Sequence, residues 1–485
     1  MASAETEVAA AGKVSVGTLT AMVIGSVIGA GVFLLPRRFA TESGVAGALV
    51  AWTIAGTGMF MLALVFQKLA IRKPELDAGI YAYAEAGFGN YVGFLSAFGY
   101  WAAACAGSAS YWVLTMGTMS SLFPSLFPVL GQGSTVAAVA VSSVGIWLFC
   151  YLVLRGVKEA AVINRVVTVA KVIPIAVFIV IALVAFKADV FTANFWGGNG
   201  TYSWTSLFEQ AKGTMLITVF VFLGIEGASV YSRLARKRED VGRATVLGFL
   251  AVLSVFVLIT LSSYGVMPQA DLAAATPPSM ATVLESIVGP WGSILIRVGV
   301  IVSVMGAYLA WTLIAAEILY MPAKAQDLPR FLTRQNANGA PVNALVLSTG
   351  LVQLLLILLL FSANALDFIL DMTASLTLVP YLFAAGYALK LAVTRETYED
   401  GRSLRSDMLI AGAATFYTLF LIWAAGWESL LLSFILYLPA VLLYWRARRE
   451  SGNRVFAPYE VAIYVLVTLG GLAGLYGVFS GAIVL

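Results

Sequence analysis

Histidine is absent from the 485 residues, and only two cysteines, Cys105 and Cys150, are present. The first absence removes the commonest titrating and metal-ligating side chain, so any proton chemistry falls to carboxylates, lysine, tyrosine or water. Both cysteines lie in apolar runs, where a lone cysteine is a small packing residue, and neither a disulfide nor a metal site is indicated. Charge is scarce as well: charged residues make up 11% of the chain against 60% hydrophobic, with a mean hydropathy of +0.92. Polar stretches are confined to residues 1–15 and to the loops around 187–212, 233–243, 321–341 and 393–406, which leaves no soluble domain. None of these loops combines a nucleophile, a base and an orienting group, so the composition argues against an enzyme, and no cofactor is indicated.

What the chain has instead is a succession of apolar runs, each long enough to cross about 30 Å of hydrocarbon. They fall near 16–36, 44–66, 91–122, 135–154, 166–186, 213–232, 245–266, 292–320, 342–361, 368–392, 407–425, 429–445 and 459–484. The expectation is an all-α polytopic membrane protein with thirteen spans, or twelve if one run does not cross. Residues 1–15 lack the basic and cleavable pattern of a signal peptide, so the first run is expected to remain as a span.

Lysine and arginine favour short cytoplasmic loops. With the N-terminus inside, 23 of them fall on inner segments against four outside, Arg37, Arg38, Lys187 and Lys212. Lys171 and Arg297 sit within or at the edge of spans. The net charge of +4 therefore reports orientation and contact with anionic lipid headgroups. Basic residues scattered over so many loops form no groove for nucleic acid.

Two apolar runs are broken by glycine. The first reads Gly25-Ser26-Val27-Ile28-Gly29-Ala30-Gly31-Val32-Phe33, and the second reads Phe222-Leu223-Gly224-Ile225-Glu226-Gly227-Ala228-Ser229. Unwound backbone survives in a bilayer only where protein buries it or where it lines a watery cavity, and breaks in corresponding halves point to one central binding site. On its own the Gly25-x-x-x-Gly29 spacing also fits a close helix-packing motif. Amides freed at the first break suit a carboxylate, while carbonyls freed at the second, beside Glu226, suit an ammonium group. A zwitterion satisfies both.

These residues resemble the first-helix signature of the amino acid-polyamine-organocation superfamily. Pro74-x-x-x-x-Gly79-x-Tyr81-x-Tyr83, Gly224-Ile225-Glu226-Gly227, Trp311-Thr312 and Val379-Pro380-Tyr381 extend the likeness from about residue 14 to at least 445. Lys171-Val172-Ile173-Pro174 and the run from Glu226 through Arg233, Arg236 and Asp240-Val241-Gly242-x-Ala244-Thr245 are most similar to basic amino acid/polyamine antiporters, especially arginine/ornithine exchangers. The resemblance implies a 5+5 inverted-repeat fold with discontinuous first and sixth helices. Its parts would be a cytoplasmic tail at 1–13, repeats at 14–186 and 213–392, and additional helices at 407–485.

The resemblance also implies roles. Gly31, with Ala30 beside it, would hold the substrate carboxylate through its amide, and the carbonyls of Val27, Phe220 and Leu223 would hold the α-amine. Many related exchangers carry serine where Ala30 stands. Trp311 would pack on the substrate side chain, although a core or lipid-facing tryptophan is the plainer reading of such a residue. Tyr100, Ser108, Phe220, Thr373 and Tyr381 match pocket or gate positions, while Tyr81 and Tyr83 read as structural. Lys171 would replace a sodium ion by linking the first and eighth helices, or else snorkel to an interface. Glu226 resembles a pH-sensing acid, and Glu317 and Asp371 are further acids within spans.

The function implied is exchange of a basic amino acid such as arginine for a related cation such as ornithine. Proton-coupled uptake, or exchange of lysine, histidine or tyrosine for the matching amine, shares the same fold. A channel or an accessory receptor would belong to a different class, and the broken helices disfavour both. The expected partners are an amino acid substrate, membrane lipid and a second copy of the chain, in a bacterial inner membrane with the N-terminus cytoplasmic.

Overall fold

The computed structural model describes residues 15–76, 80–156, 160–197, 200–226, 238–398 and 403–483, with side chains left aside at 160–166, 168, 238 and 239. The described residues are helical almost throughout. In chain order the helices used below are α1 (Val16–Val27), α2 (Leu35–Glu42), α3 (Val45–Arg72), α4 (Ile80–Phe88), α5 (Asn90–Leu122), α6 (Val136–Leu154), α7 (Ala160–Val184), α8 (Met215–Val221) and α9 (Arg238–Tyr264). There follow α10 (Ser279–Val288), α11 (Pro290–Lys324), α12 (Val342–Leu358), α13 (Ala365–Thr394), α14 (Leu404–Ala424), α15 (Gly426–Glu450) and α16 (Pro458–Phe479).

Among the described residues ten helices are long and apolar enough to cross a bilayer. The count becomes eleven when α1 and Ala30–Glu42, bent by 56° at the first glycine break, form one span. Two expected spans are not in that count. One falls on α7, whose described apolar part is Val169–Val184, and the other on α8 and the residues beyond 226, which lie outside the described residues. Hydropathy places the middles of spans better than their ends: α5 and α11 run for 33 and 35 residues, well past the hydrocarbon thickness.

Local chemistry fixes several ends. Ser15 caps α1 by accepting the Thr18 amide at 3.3 Å, and Thr135 caps α6 by accepting that of Ala138 at 3.2 Å. The Glu460 carboxylate, 3% exposed, takes the amides of Tyr91 and Ala457 at 2.8 and 2.7 Å, starting α5 and α16 together. Aromatic stacking fills the interior between the second break and its neighbours. Trp52 of α3 stacks on Phe39 of α2 with ring centroids 4.8 Å apart, and Phe222 lies edge-on to Trp52 and against Phe256 of α9.

On the face where α3 ends, Asp407 of α14 receives Lys68 and Arg72, the latter at 2.7 Å, and Arg72 lies over the Tyr398 ring at 3.7 Å. Nearby on the same face, Glu85 of α4 and Asp327, just beyond α11, are hydrogen-bonded to each other beside Arg448. Burial together with the neighbouring acid pushes Glu85 up to about 7, and burial raises Asp327 to about 6. Both sit above their unfolded values, so the folded chain binds more protons and loses stability as pH rises through about 6 to 7. The thermal midpoint of the purified protein is therefore expected to fall from about pH 5.5 to about pH 8 through this pair. Glu85→Gln should flatten that part of the profile. Parallel profiles for the native and substituted proteins would refute the assignment.

Candidate functional site

At the first break α1 ends where the Ile28 amide closes its last bond to Ile24 O at 3.0 Å, Gly29 is extended, and a tight 3-10 turn, Ala30–Leu34, leads into α2. A helix end leaves carbonyls without intrahelical donors. Two of them, on Gly25 and Ile28, accept from the Lys171 ammonium at 2.7 and 3.0 Å. Lys171 is 8% exposed, and a cation at the negative end of a half-helix is stabilised by the helix dipole. Both of these hydrogen bonds go to the first helix. The link to α11, the eighth expected span, is made by packing: Gly299 sits against Pro174 and Ala170 O, and Gly306 sits against Val167.

The second break follows α8, where Phe222–Glu226 turns and Gly224 adopts φ +99°. The Glu226 carboxylate, 7% exposed, accepts from the Gly224 amide at 3.1 Å and from the Tyr381 hydroxyl at 2.6 Å, and it also accepts from the Tyr100 hydroxyl. One acid thus ties the unwound segment to α5 and α13. Residues 227–237, which carry much of the expected signature, lie outside the described residues.

The two breaks touch. A Cβ on Gly31 would come within 2.8–2.9 Å of the Phe220 ring and the Val221 side chain, and one on Gly224 would collide with the Ser26 carbonyl oxygen. Between them opens a cavity that is partly open to its surroundings. Val27, Ala30, Gly31, Phe220 and Leu223 line it from the breaks, and Tyr100, Trp311 and Thr373 line it from α5, α11 and α13. The Phe220 carbonyl also accepts the Leu223 amide at 3.3 Å. Along α13 the order is Asp371, Thr373, Thr377, Tyr381, so the lining threonines lie between an ion-paired acid at one end and the Glu226 cluster at the other.

Of the expected site residues, five do not line the cavity: Ser108, and the four expected in gating or coupling, Lys171, Glu226, Glu317 and Tyr381. Ser108 is buried with its hydroxyl donating to Ala104 O at 2.8 Å and does not line the cavity. Glu317 is exposed and also absent from the lining. Lys171 stands behind the first break and acts on its carbonyls. The sequence reading missed Ser26, Gly29, Ala103, Ala104, Gly107, Tyr111, Val221 and Thr377, all of which line the cavity. Helical spacing would have found those on α5, because Tyr100, Ala103, Ala104, Gly107 and Tyr111 repeat on one face. Among the described residues no group of three or more Cys, Asp or Glu is arranged to hold a metal.

The chain matches the amino acid permease family over residues 14–467. It is 47% identical over 480 residues to an arginine/ornithine antiporter of Pseudomonas aeruginosa, covering 98% of each chain. It is 39% identical to an L-lysine transport protein of Corynebacterium glutamicum, covering 97% of this chain and 96% of that one. An arginine/agmatine antiporter of Chlamydia pneumoniae is 36% identical, with 95% of both chains covered.

The contact between the breaks carries a test. Gly224→Ala forces a side chain into both a left-handed backbone and the Ser26 carbonyl, and it should lower stability by about 2 kcal/mol or more. Gly412→Ala on α14 meets open space and should leave the thermal midpoint unchanged or raise it slightly. Equal midpoints for the two variants would mean that the breaks do not pack as described.

Proposed function

The chain belongs to the amino acid permease family, and on that premise we propose that it exchanges a basic amino acid, arginine, for a related cation, ornithine, by alternating access around the cavity between its two helix breaks. The observation that carries the reading is that backbone from both breaks, Val27, Ala30 and Gly31 on one side and Phe220 and Leu223 on the other, borders one cavity. In this reading Gly31 donates its amide to the substrate carboxylate, with Ala30 alongside, and the carbonyls of Val27, Phe220 and Leu223 take the α-amine. Trp311, half-buried on the cavity wall, presents a π face to the guanidinium. Backbone groups read any amino acid, so the preference for a basic one comes from the side-chain end of the cavity.

Alternating access needs a barrier on each side of the site. Glu226 with Tyr100 and Tyr381 forms the inner one, and Lys171 holds the first break in shape in place of a bound cation. The architecture is two inverted repeats at 14–186 and 213–392 with further helices at 407–485, thirteen spans in all, and a cytoplasmic N-terminus in a bacterial inner membrane. That orientation puts Asp407, Glu85 and Asp327 inside and Arg37, Arg38, Asp367 and Asp371 outside.

Liposome counterflow tests the exchange. Vesicles loaded with ornithine should take up labelled arginine, and vesicles without internal substrate should not. Equal uptake by empty vesicles under a proton gradient would replace exchange by proton-coupled uptake. Lysine and agmatine, in the same competition panel, rank the side-chain and carboxylate requirements. Gly31→Val presses on Phe220 and Val221, so it should lower the thermal midpoint as well as abolish arginine binding, and binding is compared on material shown by its midpoint to be folded. Trp311→Leu should weaken binding of cationic substrates roughly tenfold or more relative to Trp311→Phe, since a desolvated cation–π contact is worth about 2 kcal/mol. Equal affinities in those two variants would reduce Trp311 to packing.

A further inference from the structure

Arg37 and Arg38 stand on α2, the half of the broken first helix that leads away from the cavity, and Asp367 and Asp371 stand at the start of α13. Arg37 is bidentate on Asp367 at 3.0 and 2.8 Å. Arg38 bridges the two acids, with one guanidinium nitrogen 3.0 Å from Asp367 Oδ1 and the other bonded to Asp371. Side-chain exposure rises from 11% at Arg38 and 24% at Asp367 to 36% at Asp371, so the last carboxylate is the one most open to solvent. The elements that carry this clamp also wall the cavity. The turn before α2 contributes Ala30 and Gly31, and α13 contributes Thr373 and Thr377 just after Asp371. Glu42, exposed at the end of α2, leaves this mouth with three acids against two arginines, an excess that attracts cations.

A clamp of this type is selective when the arriving molecule carries the same group as one of its jaws. A guanidinium or ammonium side chain can occupy Asp371 as Arg38 does, so the pair is exchanged rather than broken, whereas a neutral side chain leaves a carboxylate without its partner. Arg38 also pairs with Asp367 at 3.0 Å, a partner that it would retain on leaving Asp371. We propose that the Arg38–Asp371 pair is the gate at this mouth and a specificity determinant of the exchange: the side-chain cation of the entering amino acid opens it by taking the place of Arg38 on Asp371. This inference rests on the reading of the protein as an exchanger of basic amino acids.

The test compares arginine with citrulline, its uncharged near-isostere, in proteoliposomes of fixed orientation, with KM measured separately from each face. Asp371→Asn should raise the KM for arginine at the gated face roughly 1.5-fold to fivefold, the range for losing one partly exposed charge pair. The opposite face should change less, and any uptake of citrulline should be unaffected. Arg38→Gln removes the competitor, so it should lower the KM for arginine at the same face. These shifts have opposite signs, which a loss of packing alone does not produce. Asp371→Glu, which keeps the charge, should restore the native asymmetry and serves if the asparagine variant does not fold. Shifts of the same sign, equal shifts at both faces, or no shift would overturn the gate. Absence of arginine exchange by the native protein would instead overturn the functional reading beneath it.

Discussion

The close approach of two unwound backbones is the constraint on which the rest of this structure depends. Gly31 lies against Phe220 and Val221, and Gly224 lies against the Ser26 carbonyl, at distances that admit no side chain. Breaking two apolar helices at the same level exposes amides and carbonyls that an apolar surrounding would not tolerate. The fold answers several of them. Lys171 takes up the carbonyls of Gly25 and Ile28, and the Glu226 carboxylate takes the Gly224 amide and two tyrosine hydroxyls. What is left unwound borders the cavity, and in the proposed exchange these are the polar groups available to substrate.

Charge is placed as economically as the breaks. Most of the ion pairs gather at the two loop faces, where they join elements far apart in sequence: α2 to α13 on one side, and α3 to α14 on the other. Between them lies a cavity with an apolar wall and one cluster of hydrogen-bonded acid and tyrosines. In the proposed exchange, a substrate carrying its own charges would meet fixed partners at the mouth and backbone dipoles at the centre.

Much of this was legible before any coordinates. Glycine spacing marks both breaks, long apolar runs mark most of the spans, and the resemblance to basic amino acid exchangers led to the family to which the chain belongs. The misplacements have a common physical cause. A motif carries a position along a helix but not its rotational register, so Ser108 was expected in the cavity although its hydroxyl turns back onto Ala104 O. Glu317 is not among them: six residues after Trp311, its spacing did not require it to share that pocket, and it lies about 240° around the helix and faces outward. The partners of Lys171 were not legible either. Burial demanded that it have some, but the carbonyls it meets become available only after α1 stops at Val27. Asp371 read simply as an acid within a span, because its arginine partner lies 333 residues away in the chain.

The central claim is that the two breaks form one binding site. Hydrogen exchange of the purified protein with and without saturating arginine tests it directly. Protection by arginine should appear together in the peptides covering 25–33 and 220–226, since the same ligand would cover both sets of backbone amides. Protection confined to one break, or concentrated on other helices while both breaks exchange freely, would contradict the account.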